Sequence, residues 1–234
     1  MQKRAGHSLP RFIVSRSISN SDKTKWRIVG ALEKALKKKP FNKVNVVDMT
    51  DECHIARQTF YNHFLDKQDV VNWLNMQLDM KTLGRIGIDL TWREAVRMKL
   101  EIMKAKQHLF ASLYEAESTM GLFSNEANIT FENYVANITR ITGKTLNTHE
   151  SALLKIYCYG TSRLIAEWIM SGAKEPIAEL MQACEHALPL FVQRIFLASY
   201  LVRMASKRQT PNWWTDPGLT ELNIGSFPYI AKGL

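Results

Sequence analysis

Apolar residues recur at intervals of three and four along most of this chain. From Ser21 and Asp22, either able to cap a helix, Ile28, Val29, Leu32, Ala35 and Leu36 share one face until the run Lys37-Lys38-Lys39-Pro40. The spacing predicts an amphipathic first helix. Its cationic last turn suits the negative end of the helix dipole, and Pro40 excludes helical geometry from the residue before it. Phe41 is the expected core plug after it. Asn45 and Asp48, three apart, have the form of a capping box opening a short second helix, with Val46, Met49 and Cys53 facing inward. The stretch His54-Ile55-Ala56 is too short for a linker, and the third helix over 57–64 places Phe60 and Phe64 on one face. Two short helices joined by a tight turn make a helix-turn-helix, and the three helices together enclose one small core.

Further along, Val70, Val71, Leu74 and Leu78 predict a helix from about Lys67 through Lys81. Gly84 and Gly87 punctuate an expected hinge. Thr91 is a candidate cap for a helix from Trp92 to about His108 that continues through Tyr114, while residues 118–130, rich in Ser, Thr, Gly and Asn, read as a loop. Helical patterning resumes over 131–141 and over 148–170, stops at Gly172, restarts at Glu175-Pro176 and must break at Pro189. No strand alternation competes. The expected fold class is all-α: a helix-turn-helix unit over 22–80 and a larger helical unit over 81–206. A basic arm over 1–21 and an irregular tail over 207–234 flank them, the tail's Trp213, Trp214, Phe227 and Tyr229 being expected to pack onto the body.

Composition agrees with a globular chain, because 234 residues of which 46% are hydrophobic suffice for a substantial core. Charge adds a direction. The net charge is +9, and positions 1–81 hold most of it, with 15 Lys and Arg against 8 Asp and Glu. A basic segment beside a nearly balanced one favours nucleic acid through counterion release, although a solvated basic surface has the same composition. No run approaches the roughly 18 apolar residues of a membrane span, and residues 1–20 lack the apolar segment of a signal peptide. A cytoplasmic protein without a membrane role is expected. Cys53, Cys158 and Cys184 form no CxxC pair, which suits reduced thiols.

If Phe60 and Phe64 point into the core, Arg57, Gln58, Thr59, Tyr61 and Asn62 turn outward. Arg57 and Gln58 have the donors and acceptors to read base edges bidentately, and Thr59 suits a thymine methyl or a phosphate. Tyr61, His63 and Lys67 suit phosphate oxygens. With Asn45 at the start of the second helix, these residues form the candidate surface for double-stranded DNA, the alternative being an ordinary polar helix face.

The run NVVDMTDECHIARQTFYNHFLDKQDVV resembles the DNA-binding domain of the Tet-repressor (TetR/AcrR) family, with Thr59, Phe60, Tyr61, His63, Phe64 and Lys67 in register over a match spanning roughly residues 22–75. The resemblance implies base contacts from Arg57, Gln58 and Thr59, and backbone contacts from Tyr61, His63 and Lys67. Two positions depart from the family pattern. His54 stands where a turn glycine is usual, and His tolerates positive φ better than most residues; Val47 stands where some members present a base-reading Arg. The stretch GTSRLIAEWIMSGAKEPIAELMQACEHALP is similar to the C-terminal domain of the branch containing dihydroxyacetone-kinase regulators. The family further implies an effector-binding helical domain and a homodimer, here through helices near 148–171 and 175–205, hence a palindromic operator.

Trp92, Met103, Phe110, Tyr114, Tyr134, Tyr157 and Trp168 supply aromatic and methionine surface for a pocket between helices, suited to a mostly apolar or aromatic small-molecule effector. No phosphate loop, HExxH, nucleophile elbow or paired-carboxylate motif occurs, so neither an enzyme nor a cofactor is expected. His149, Cys158, Cys184 and His186 are spaced too weakly to specify a metal. The expected function is a ligand-responsive transcriptional regulator, read as a repressor. The alternative is an interaction protein on the same scaffold, a co-regulator subunit without operator binding of its own.

Overall fold

The computed structural model describes residues 19–120 and 123–206. The tail at 207–234 and all but the last three residues of the expected arm lie outside these. Among the described residues the regular elements are helices, joined by two short 3-10 turns and one isolated bridge between Ile86 and Leu90.

Helix α1 spans Asn20–Leu36 and begins earlier than its sequence suggests. Ser19 is the cap, its hydroxyl accepting the Asp22 amide at 3.0 Å, so Asp22 sits in the first turn rather than at the cap. Helix α2 (Val46–Glu52), α3 (Arg57–Tyr61) and α4 (Lys67–Lys81) follow. A 3-10 turn, Phe41–Lys43, connects α1 to α2. Ile28, Leu32, Phe41, Met49, Phe60 and Phe64 are all buried in the core they enclose.

The body comprises α5 (Trp92–Ala105), α6 (Gln107–Met120), α7 (Phe123–Thr142), α8 (Thr148–Met170), α9 (Ile177–Ala187) and α10 (Leu190–Ser206). The continuous helix expected from Trp92 through Tyr114 is broken at Lys106, whose ammonium reaches Glu33 of α1 at 2.8 and 2.9 Å. The break has a packing consequence. Leu109 and Leu113 of α6 enter the core of α1–α4, while Phe110, Ala111 and Tyr114 enter the core of the body. A division at 80/81 therefore separates the backbone but not the two cores.

Two expectations are corrected. The loop expected over 118–130 is helical wherever it is described, because α6 runs to Met120 and α7 begins at Phe123. Thr and Asn are weak helix formers, but burial of Glu126, Ala127 and Thr130 outweighs local preference. Residues 84–87 are not a loose hinge. Asn137 donates to the Leu83 carbonyl at 2.8 Å and Arg140 to the Ile86 carbonyl at 2.7 Å. Gly87 has φ of 75°, and a Cβ there would lie 2.7 Å from Ile141 Cδ1. Glycine is used for close packing as much as for its backbone freedom.

Candidate nucleic-acid interface

Three devices position the helix-turn-helix. Asp48 accepts the Asn45 amide at 2.6 Å in the expected capping box and pairs with Lys39 at 2.6 Å. The Lys39 contact, and then the Asn45 amide, hold its carboxyl below the usual range. On the next turn Glu52 pairs with Lys34 at 3.0 Å and Lys38 at 3.2 Å, so the cationic end of α1 is tied to α2. At the end of α2, Ile55 donates to the Thr50 carbonyl at 3.0 Å and His54 to the Asp51 carbonyl at 3.3 Å, the pattern of a Schellman motif. His54 takes φ of 50°, as the resemblance requires of the residue replacing glycine. Arg27 caps the turn from α1, donating to the Cys53 carbonyl at 2.6 Å.

Aromatic packing then sets the rotation of α3. Phe60 is fully buried, its ring 6.0 Å from that of Phe64, which meets Trp73 edge-on at 5.9 Å. Trp73 in turn meets Trp26 at 4.9 Å, and Lys25 lies over both Phe64 and Trp73. With that face inward, Arg57, Gln58, Tyr61 and Asn62 are exposed, while Thr59 and His63 are half-buried. Gln58 donates to Asn62 at 3.2 Å, and His63 lies 3.4 Å from the Ser21 hydroxyl. Asn45 is exposed one turn away at the start of α2, where Val47 is half-buried. The helix ends at Tyr61 rather than 64 because Asn62 and His63 form a turn. It is about one and a half turns long, and it exposes Arg57, Gln58 and Tyr61 while burying Phe60.

Lys67, expected at the DNA backbone, is engaged within the protein. Its ammonium does not project to solvent but donates to the carbonyls of Phe41 at 2.8 Å, Val44 at 2.8 Å and Asn42 at 3.3 Å, and lies 4.8 Å from the centre of the Phe41 ring. An ammonium has three donors, and all three are committed.

Solved structures similar to this chain include two transcriptional regulators. The dihydroxyacetone kinase operon activator DhaS shares 15% identity, with 74% of this chain and 97% of that one covered and a TM-score of 0.48. The TetR family repressor AlkX from Dietzia sp. strain DQ12-45-1b, implicated in biodegradation of n-alkanes, shares 17% identity over 72% of this chain and 97% of its own, with a TM-score of 0.48. No family model and no curated protein matches the chain.

The residues expected to line an effector pocket are all buried. Trp92 donates to the Tyr134 hydroxyl at 2.7 Å, and the Tyr134 ring packs edge-on against Tyr157 at 5.9 Å. Burial pushes both tyrosine hydroxyls above their ordinary range. The Phe110 and Tyr114 rings lie 6.5 Å apart, tilted by 33°, and Met103 is fully buried. Trp168 stands apart at the α8–α9 corner, donating to the Glu175 carbonyl at 3.0 Å. The cavity beside Trp92, between Ile86, Leu90, Phe196 and Tyr200, is about 10 Å³, room for one water. These residues form packed core in this state. Cys158 and Cys184 are buried, whereas His149 and His186 are exposed, and no group of three or more potential ligands for a metal forms among the described residues.

One cluster escaped the sequence reading altogether. Lys99 of α5 is buried 2.8 Å from Asp79 of α4 and 3.4 Å from Glu126 of α7. Thr130 donates to Asp79 at 2.9 Å and Tyr114 to Glu126 at 2.7 Å. Burial opposes the ammonium's charge, but the Asp79 and Glu126 carboxylates outweigh it and hold the Lys99 pKa above the ordinary lysine value. Asp79 and Lys99 lie inside otherwise ordinary amphipathic helices, so only their apolar-face positions hinted at burial.

Proposed function

We propose that this chain is a ligand-responsive transcriptional regulator, a repressor, that binds a palindromic operator as a homodimer. The observation that carries this reading is α3: a helix of five residues whose inner side is locked by Phe60 and whose outer side presents Arg57, Gln58, Tyr61 and Asn62 after a left-handed turn at His54. A helix so short contributes little to a core. Its value lies in what it presents, and base-reading chemistry is what its side chains offer.

Dimerisation has its own support. Helix α8 exposes Leu153, Ile156, Tyr159 and Leu164, and α10 exposes Leu190, Leu201 and Val202. Ile156 is 71% exposed and Val202 70%, an apolar surface that a second copy would cover. Leu109 and Leu113 supply a route for an effector signal, since α6 packs in both cores. An effector must open the tyrosine core to enter, and so shifts α6 or α4 rather than the pinned 84–87 segment. Binding rather than catalysis is the reading for the body, because Asp79, Lys99 and Glu126 are spent on one another. The decisive experiment is selection of bound sequences from random duplexes. Enrichment of an inverted repeat supports the proposal, and absence of any enrichment transfers support to the co-regulator alternative.

A further inference from the structure

Lys67 opens α4, directly after the Asp66 cap whose carboxylate accepts the Asp69 amide at 2.9 Å. A cation in the first turn of a helix faces the positive end of the dipole, so nothing local favours lysine there. The compensation is tertiary. The ammonium binds the Phe41, Asn42 and Val44 carbonyls, which belong to the turn leading into the Asn45 cap of α2. Phe41 itself is buried, and its carbonyl also accepts the Val44 amide at 3.1 Å. Lys67 thus straps the exit of α3 to the entrance of α2, the two places from which the DNA-facing residues project.

Resting on the DNA-binding reading above, we infer that Lys67 is a positioning residue of the reading head: it holds the turn before Asn45 so that α2 and α3 meet DNA in one fixed relation, and it makes no phosphate contact. Burial keeps its pKa below the ordinary lysine value, with the Asp66 and Asp48 carboxylates opposing that shift. A phosphate contact would require the ammonium to give up charge-assisted bonds to the carbonyls of Phe41, Asn42 and Val44.

The test compares wild-type protein with Lys67→Met and Lys67→Arg, titrated over a salt series against the selected operator and a random duplex. The methionine keeps a stem over Phe41 and removes the donors. We expect it to lose about tenfold or more on the operator and less than about twofold on the random duplex, with an unchanged salt slope. Arginine, planar and unable to aim three donors at converging carbonyls, will not restore the operator affinity, although it would serve a phosphate at least as well. A salt slope reduced by about one unit per site in Lys67→Met, with rescue by Lys67→Arg, overturns the inference in favour of a phosphate contact. Wild-type operator affinity in Lys67→Met overturns it in favour of a fold-only role. Should Lys67→Met fail to fold, the ammonium proton signals of wild-type Lys67 decide: they should be protected and unmoved on adding operator, and a shift with coupling to phosphorus refutes the assignment. Wild-type protein that selects no sequence sinks the DNA reading itself, an outcome distinct from all of these.

Discussion

Replacing Lys99 by Met removes the only cation from a buried cluster that holds two carboxylates. Asp79 would keep its bond from Thr130, at 2.9 Å, and Glu126 its bond from Tyr114, at 2.7 Å, but neither would have a counter-charge. Removing one partner of a buried ion pair costs about 3–5 kcal/mol, because the surviving charge stays desolvated. The whole chain is expected to be stable by only about 5–15 kcal/mol. At about 2–4 °C per kcal/mol for a protein of this size, Lys99→Met should melt roughly 6–20 °C below wild type. The triple replacement Lys99→Met, Asp79→Asn, Glu126→Gln removes every charge while nearly conserving volume, and should recover most of that loss. Urea or thermal unfolding followed by circular dichroism measures both. A single variant melting within about 2 °C of wild type would mean that water reaches the carboxylates, and the reading of the body as closed core would be wrong.

Arg57→Ala and Gln58→Ala should each cost about 1–3 kcal/mol on the operator and little on random DNA, measured by fluorescence anisotropy; equal losses on both duplexes would remove these residues from base reading. Phe60→Ala is the folding control, since truncating a buried aromatic costs about 3–5 kcal/mol of stability. Ile156→Arg places a charge in the exposed stripe of α8 and should shift sedimentation toward monomer, with no change expected if the dimer forms elsewhere. The buried thiols carry a pH signature: burial pushes Cys158 up to about 12 and Cys184 to about 11, from an ordinary 9.0. The folded state holds these protons more tightly than the unfolded one, so their contribution is full below pH 9.0 and is lost as pH rises through the folded values. A thiol titration at pH 8 should accordingly find both unreactive in native protein and reactive in denaturant.

The outward polar face of α3 is legible in the sequence because it follows from a local rule. With Phe60 and Phe64 four residues apart, burying one ring commits the other, and the polar residues between them face outward. The cap at Asn45, the left-handed residue at His54 and the glycine stop at Gly172 are likewise local, each set by a backbone preference of a few residues. The intramolecular contacts of Lys67 are not legible in the sequence for the complementary reason. Its partners Phe41 and Val44 are 26 and 23 residues away, and no spacing rule distinguishes a lysine aimed at solvent from one aimed at a distant turn.

The same division holds for the whole chain. Helical periodicity, capping residues and proline positions determined by themselves that the fold is all-α, that a helix-turn-helix opens it and where most helices stop, because those are energies between residues within a few positions. Tertiary structure decided what long-range burial decides. It made helix of residues 118–120 and 123–130, where Glu126, Ala127 and Thr130 are buried, pinned 84–87 through Asn137 and Arg140, and placed Leu109 and Leu113 in a core assigned to another part of the chain. It also gathered Asp79, Lys99 and Glu126 from three helices, because a charge can leave water only where distant parts of the chain bring it a partner.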